Sequence, residues 1–292
     1  MTTTLTGLGF PEALRWHDGA LWFSDMFRSR VVRWTPDAGV DTVLDRERGG
    51  PVMPGGLGWL PRNADPCGVG ALLIVDCLER QVLAMRGDEV SVHADLRELM
   101  THPANDMHVD ADGTAWVGGY GFDPGNDPPA ASSLVRIAAD GRLSMTRAQF
   151  IFPNGCARDA DGALLVAETS ADRVTIAAAD GGSLTRSVTL PTGSGPDGIS
   201  LGCEGTVFVA LAFAGELVAF DRRASAPGGA SAIRLVHRPA AIEAGPGAGP
   251  VACYDCAVEP GGRRIAVAIA SADEALAEHV DTGRIELLTL EG

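Results

Sequence analysis

The strongest constraint on the fold is a short unit that recurs six times along the chain. Each copy is a loop, a turn and an apolar run of strand length. Residues 152–168 contain a clear copy, with a hairpin-turn signal at 159–162 and an apolar run at 163–167. The corresponding runs lie at 21–25, 72–76, 115–119, 164–168, 207–211 and 265–269. Their starts are 43 to 58 residues apart, which is the spacing of a repeat architecture.

A further strand-like run follows each of these runs, which gives each repeat room for about four short strands. These second runs lie at 30–34, 81–85, 133–137, 173–177, 216–220 and 284–288. Residues 95–100 and 272–278 predict at most short helical turns. Six repeats of four strands predict an all-β fold, a six-bladed β-propeller that forms a single domain over residues 1–292.

Two expectations about the ends of the repeats follow from this architecture. Residues before Phe10 are expected to add an outer strand to the last blade, which would close the ring and remove open sheet edges. The stretches at 224–230 and 244–250, rich in glycine, alanine and proline, are expected to be surface loops.

The composition limits the partners and the chemistry. The formal net charge is −15, which disfavours binding to nucleic acid and to anionic membrane surfaces. All 23 basic residues are arginine, so Schiff-base and P-loop lysine chemistry are excluded. The sequence has neither an 18-residue apolar run nor a signal-peptide pattern at its start. We therefore expect a cytoplasmic monomer or homodimer that acts on a small molecule.

The cysteines predict no zinc site. The chain has six, and only Cys253 and Cys256 form a C-x-x-C pair, without the second pair that a structural zinc site needs. Reduced cysteines in or near the core are therefore expected, with a redox role for Cys253 and Cys256 as the weaker alternative.

Polar residues stand at the openings of several repeats, where the loops of a propeller line one mouth of its central channel. Four of the six openings carry an acid or an amide: Glu12, Asn105, Asn154 and Asp197. Each one alone is explained as a turn residue, because Asn-Gly and Asp-Gly are common turn dipeptides. Four at equivalent positions favour a ring of oxygen ligands for Ca²⁺ or another hard divalent cation.

Short motifs accompany these openings and the following strands in a fixed order. They are FPE at 10–12, FSD at 23–25, AND at 104–106, FPNG at 152–155, VAET at 166–169 and GPDG at 195–198. In order and spacing, over nearly the whole chain, they resemble the gluconolactonase/regucalcin (senescence marker protein) family of calcium-dependent six-bladed β-propeller lactonases.

The resemblance implies a role for each residue of the ring. Glu12, Asn154 and Asp197 would hold a divalent metal, with Ca²⁺ favoured and Mg²⁺, Mn²⁺ or Zn²⁺ as alternatives. Asp197 would also be the general base. Asn105 would be the second catalytic residue and would bind the substrate or the water beside the metal, and Asp106 would support the substrate next to it. A cation at this position would polarise a lactone carbonyl.

One position departs from the family pattern. In the sugar-lactonase members an arginine two residues before the position of Asn105 binds the substrate, and Pro103 stands there in this chain. Two interpretations remain: the substrate is less polar than a sugar lactone, or another residue holds the sugar. The less polar side chains expected near the mouth are Met26, Met53, Met107, Tyr120, Phe122 and Phe152.

Three functional hypotheses follow. The first is a metal-dependent hydrolase that opens a lactone or a related cyclic ester. The second keeps the metal site but changes the reaction to phosphoester cleavage, epoxide opening or a ring rearrangement. The third is a propeller that binds a partner without catalysis, for which oxygen ligands at the channel mouth would have no use.

Overall fold

The computed structural model describes residues 3–222 and 232–290, and it contains six four-stranded antiparallel sheets arranged as the blades of a propeller. The predicted six-bladed β-propeller is therefore confirmed, while the predicted loop at 224–230 lies outside the described residues. Blade 1 consists of Pro11–His17, Ala20–Asp25, Arg30–Thr35 and Gly39–Asp45. Blade 2 consists of Pro54–Leu60, Ala71–Asp76, Gln81–Arg86 and Glu89–Asp95. Blade 3 consists of Ala104–Val109, Ala115–Gly119, Val135–Ile137 and Leu143–Met145.

The second half of the ring repeats this pattern. Blade 4 consists of Pro153–Arg158, Leu164–Glu168, Arg173–Ala177 and Leu184–Thr189. Blade 5 consists of Pro196–Leu201, Thr206–Leu211, Glu216–Asp221 and Arg234–His237. Blade 6 consists of Val251–Val258, Arg264–Ser271, Gly283–Thr289 and, on its outer edge, Thr3–Leu8.

The two ends of the chain close the ring in blade 6. Thr3–Leu8 pairs antiparallel with Gly283–Thr289, with Leu5 opposite Ile285. This confirms the outer strand expected before Phe10. The innermost strands of all six neighbouring pairs of blades, including blades 6 and 1, contact each other. The closed ring thus fixes the six blade openings around one channel.

A hydrophobic cluster fills each of the six gaps between blades. The strand Ala71–Asp76 explains the continuous apolar runs of the sequence. Leu73 and Val75 pack toward blade 3, while Leu72 and Ile74 pack toward blade 1. Successive side chains of a strand point to opposite faces, so a strand with a blade on each side needs apolar residues at every position.

Little regular structure lies outside the blades. The one α-helix in the described ranges is Glu274–Ala277, within the stretch predicted as a helical turn, and the side chain of Asp273 accepts a hydrogen bond from Leu276 N at its start. Four 3-10 turns lie at Met26–Arg28, Arg46–Arg48, Thr169–Ala171 and Cys203–Gly205, and a small ribbon pairs Ala131–Ser132 with Phe150–Ile151. None of the helices in the described ranges has the length and apolar character that a membrane crossing requires.

Candidate functional site

A break in strand register interrupts the innermost strand of every blade just after its opening. In blade 1 the break lies between Glu12 and Arg15, and in blade 5 between Pro196 and Ile199. A bulge of this kind re-aims a side chain and bends its strand. Ala13, within the blade 1 break, has a φ of 52°, a left-handed conformation that costs a residue with a Cβ roughly 1–2 kcal/mol. Backbone strain is therefore stored directly beside Glu12.

The bulged strands open onto a pocket of about 530 Å³ at one mouth of the channel. The structure brings together in this pocket all four residues of the predicted oxygen ring, Glu12, Asn105, Asn154 and Asp197. It also places there five of the predicted wall residues, Met26, Met53, Tyr120, Phe122 and Phe152.

Two predicted residues lie elsewhere. Asp106 does not line the pocket, because its Oδ1 accepts a hydrogen bond from Arg15 Nη2 at 2.8 Å and another from Met107 N at 2.7 Å. The structure thus places Asp106 outside the pocket lining, beside Arg15, and its support of the substrate stays a prediction. Met107 is fully buried in the hydrophobic cluster between blades 2 and 3, so its expected position at the mouth is wrong.

The two carboxylates of the pocket floor lack a cationic partner among the described residues. Asp197 is buried and has no hydrogen-bond donor or arginine at its side chain within residues 3–222 and 232–290, while Glu12 accepts only a long hydrogen bond of 3.3 Å from Ala13 N. Burial raises the pKa of both groups well above the usual value, and the charges of neighbouring carboxylates raise it further. A buried and a half-buried carboxylate without compensation are unfavourable unless they are protonated or bind a cation.

Thr169 fixes the orientation of the Asn154 amide. The Thr169 hydroxyl donates its single proton to the Pro196 carbonyl oxygen at 2.8 Å, so it can only accept in its 3.3 Å contact with Asn154 Nδ2. The amide nitrogen is therefore engaged, and Asn154 Oδ1 is left for the pocket. The sequence does not reveal this role, since its signal is a single hydroxyl residue directly after the strand Leu164–Glu168.

The donor set of the floor is suited to a hard divalent cation. It combines the carboxylates of Glu12 and Asp197 with the amide oxygen of Asn154, all of them oxygen donors of the kind that Ca²⁺ takes. In the part of the chain that the structure describes, no group of three or more histidine, cysteine, aspartate and glutamate side chains has a metal-binding arrangement. The set reaches three donors only through the asparagine, and residues 3–222 and 232–290 form no histidine- or cysteine-rich zinc site.

A second layer of charges closes the channel below this floor. Arg15 Nη2 contacts Asp106 Oδ1 at 2.8 Å, and Arg15 Nη1 contacts Asp255 Oδ2 at 3.3 Å. Asp255 is 1% exposed, and burial raises its pKa to about 7 although Arg15 opposes this rise. Position 198 must be glycine here, because a Cβ on Gly198 would lie 1.7 Å from Asp255 Oδ1.

Cys77 lines the pocket but is not suited to act as a nucleophile. Burial, followed by the charges of Asp76 and Glu12, raises the pKa of its thiol well above the usual value. The thiol therefore stays protonated near neutral pH, whereas the thiolate is the reactive form. The raised pKa of this thiol thus gives no support to a covalent route through Cys77.

The charge of the pocket lining is one-sided. Five carboxylates line it, and no arginine or histidine does so among the described residues. The five are Glu12, Asp127, Asp197, Glu274 and Glu278. Within the described part of the chain, the lining therefore contains no basic side chain that could hold a phosphate or a carboxylate.

Solved structures with the same fold share little sequence with this chain. A luciferin-regenerating enzyme superposes with a TM-score of 0.74 at 18% identity, covering 100% of this chain and 96% of its own. A gluconolactonase from Xanthomonas campestris gives a TM-score of 0.67 at 19% identity, and the superposition covers 99% of this chain and 90% of the gluconolactonase. Regucalcin from Agrobacterium tumefaciens, a calcium-binding protein, gives a TM-score of 0.68 at 17% identity. The superposition covers 98% of this chain and 92% of regucalcin.

Sequence comparison adds the family. No curated protein matches the chain. The family model described as the SMP-30/gluconolactonase/LRE-like region matches residues 10–227, which include Glu12, Asn105, Asn154 and Asp197. This match spans most of the chain, and the chain belongs to the SMP-30/gluconolactonase/LRE-like family.

Proposed function

We propose that this protein is a divalent-metal-dependent hydrolase that opens a lactone or a related cyclic ester of a small molecule. The observation that carries the proposal is the pair of uncompensated carboxylates, Glu12 and Asp197, beside the fixed amide of Asn154 on the floor of the pocket. Family membership supports a lactonase-like activity. The calcium-binding neighbour regucalcin supports Ca²⁺ as the metal.

In this proposal each floor residue has a defined task. Glu12, Asn154 and Asp197 would hold the cation, which would supply Lewis-acid polarisation of the substrate carbonyl. Asp197 accepts a proton from the attacking water as the water oxygen bonds to the carbonyl carbon. The ring carbon–oxygen bond then breaks, and the proton held by Asp197 passes to the departing ring oxygen, which leaves a hydroxy acid. Asn105 orients the substrate by hydrogen bonds from its amide.

The alternative reactions receive less support from the pocket. Cleavage of an anionic phosphoester is favoured by positive groups around the phosphate, and the described lining offers no arginine or histidine. A binding propeller without catalysis gives no reason for two carboxylates without a cationic partner on the pocket floor. The test of the proposed reaction is hydrolysis of a panel of lactones and phosphoesters, each with Ca²⁺ and with excess chelator. Turnover of lactones only with metal supports the proposal, and turnover that survives chelation contradicts it.

Replacing Thr169 by valine is expected to weaken Ca²⁺ binding about 10- to 100-fold, which is typical for loss of a residue that orients a metal ligand. Valine keeps the shape but cannot accept the hydrogen bond from Asn154 Nδ2, so the amide is free to turn its nitrogen toward the ion. Calorimetric titration with Ca²⁺ measures the effect. Thr169→Ser keeps the hydroxyl and is the matched control, and equal weakening in both variants would contradict the assigned role.

The stabilisation by Ca²⁺ is expected to grow with pH. The pKa values of Glu12 and Asp197 are raised in the folded protein, so their stabilising contribution is complete below the unfolded-state pKa and is lost as pH rises through the folded value. The metal-free protein therefore loses stability with rising pH, while Ca²⁺ competes with fewer protons. Thermal unfolding with and without Ca²⁺ should give a larger difference in Tm near about pH 8 than near about pH 5. A difference that does not vary with pH would contradict this assignment.

A further inference from the structure

One wall of the pocket is an aromatic cluster from blades 3 and 4. Tyr120 stacks on Phe152 with ring centroids 3.9 Å apart and an interplanar angle of 25°. Phe122 stands nearly perpendicular to both rings, at 5.9 Å from Tyr120 and 6.4 Å from Phe152. All three side chains line the pocket. The mutual stacking fixes their positions, so this wall is a preformed apolar surface.

A second aromatic cluster comes from blades 1 and 6. The ring of Phe10 lies 4.6 Å from Phe27 and 4.3 Å from Tyr254, and all three residues line the same pocket. Tyr254 is held by a 2.8 Å hydrogen bond from its hydroxyl to the Ser271 carbonyl oxygen. In a closed ring of six blades, blade 3 lies opposite blade 6 and blade 4 lies opposite blade 1. The two aromatic clusters therefore face each other across the carboxylate floor and form a slot.

The outer rim of the slot is apolar on two sides and acidic on a third. Phe213 of blade 5 is 67% exposed and Leu78 of blade 2 is 47% exposed, and both line the pocket from opposite blades. Glu274 and Glu278 contribute carboxylates from the blade 6 side. The negative charge of Glu274 reaches into the slot, where it adds to the effect of burial in raising the pKa of Tyr120.

We propose that this slot selects a lactone or cyclic ester whose body is a flat, apolar ring system without negative charge, and that a basic nitrogen at its outer end is held by Glu274 and Glu278. The two walls sandwich the ring system, and the floor receives the ester group. Aromatic faces and carboxylates attract a cation together. Beyond the cation proposed for the floor, the described lining has no positive group that would offset the charge of an anionic substrate body. The ester chemistry rests on the proposed function, whereas the charge and shape preference rests on the lining alone.

The experiment uses three aryl-substituted δ-lactones of matched shape, whose aryl ring carries a methyl, an aminomethyl or a carboxylate group at its far end. The Ca²⁺-loaded protein is assayed for kcat/KM with each probe, and binding of the three corresponding δ-lactams, which resist hydrolysis, is measured by calorimetry. The same measurements are made on Glu274→Gln/Glu278→Gln. Glu89→Gln, which changes an exposed glutamate at the start of the outermost strand of blade 2, is the matched control.

The proposal predicts that the aminomethyl probe is preferred over the methyl probe about three- to tenfold, as expected for partly screened charges at a rim. The carboxylate probe should be the poorest of the three. In Glu274→Gln/Glu278→Gln the ratio of aminomethyl to methyl probe should fall to about one, and raising the ionic strength should reduce the ratio in the unmodified protein. Glu89→Gln should keep the ratio unchanged.

The outcomes separate the two proposals. A preference for the carboxylate probe, or a ratio that persists in Glu274→Gln/Glu278→Gln, overturns the substrate assignment even if lactones are hydrolysed. Lactams that bind in the predicted order without any metal-dependent turnover of the lactones overturn the proposed function and leave the substrate assignment standing.

Discussion

Replacing Asp197 by asparagine is expected to lower kcat/KM for lactone hydrolysis by about a thousandfold, within the usual contribution of a general base. Asparagine keeps an oxygen at the same place but cannot take a proton from water, and it removes one of the two negative charges that would hold the cation. Steady-state kinetics at saturating Ca²⁺ measure the loss. Activity within about threefold of the unmodified protein would contradict the role given to Asp197.

The same variant is expected to be more stable than the unmodified protein in the presence of chelator near pH 8. Asp197 is buried and repelled by other carboxylates, and removing its charge relieves both costs. Thermal unfolding in chelator therefore separates lost chemistry from lost folding, because Tm should rise while activity falls. Asp88→Asn, in an exposed turn between the outer strands of blade 2, is the control and should change neither quantity.

Replacing Arg15 by methionine is expected to destabilise the protein by about 3–5 kcal/mol, the usual cost of removing one partner from a buried ion pair. Both Asp106 and Asp255 are buried, and Arg15 is the cation that contacts each of them. Chemical denaturation at neutral pH measures the change in the free energy of unfolding. Arg142→Met removes an exposed ion pair with Asp140 and is expected to leave stability unchanged.

A compensating change sharpens this test. Adding Asp106→Asn to Arg15→Met removes one of the orphaned charges, so the double variant should be more stable than Arg15→Met alone. If the loss of stability in the double variant instead equals the sum of the losses in Arg15→Met and Asp106→Asn, Arg15 contributes by packing and not by pairing its charge.

The ring of blades was readable in the sequence because both faces of each blade are buried. Continuous apolar runs such as Ala71–Asp76 pack against a blade on each side, and they recur at a spacing that only a repeat produces. The closing strand Thr3–Leu8 was predictable from a different consideration, because an open edge in blade 6 would leave backbone groups unpaired.

The floor of the pocket was predictable because its residues occupy the same place in each repeat. Glu12, Asn105, Asn154 and Asp197 stand at equivalent blade openings, and the closed ring makes equivalent openings converge. The pattern does not depend on details of backbone geometry, which explains why four positions read from sequence all line one pocket.

The direction of individual side chains was not readable. Asn105 and Asp106 are adjacent and both polar, and the bulge between Ala104 and Met107 decides which of them reaches the pocket. The support of Asn154 by Thr169 depends on a hydrogen bond between two strand ends of blade 4. Such choices depend on bulges and on contacts between distant residues, and a linear pattern of residue types contains neither.

The acidic rim of the pocket could not be predicted from the sequence, for a different reason. Glu274 lies in the connection between two strands of blade 6, about 260 positions after Glu12 in the sequence, and nothing in its local pattern distinguishes it from a surface glutamate. Only the closed ring brings it to the mouth opposite Tyr120.

The most direct test of the metal-dependent account is a crystal structure determined with Ca²⁺. The account predicts a single ion on the pocket floor, with oxygen contacts of about 2.3–2.6 Å from the side chains of Glu12, Asn154 and Asp197. An ion that binds elsewhere, or an empty floor at Ca²⁺ concentrations that support lactone turnover, would contradict it.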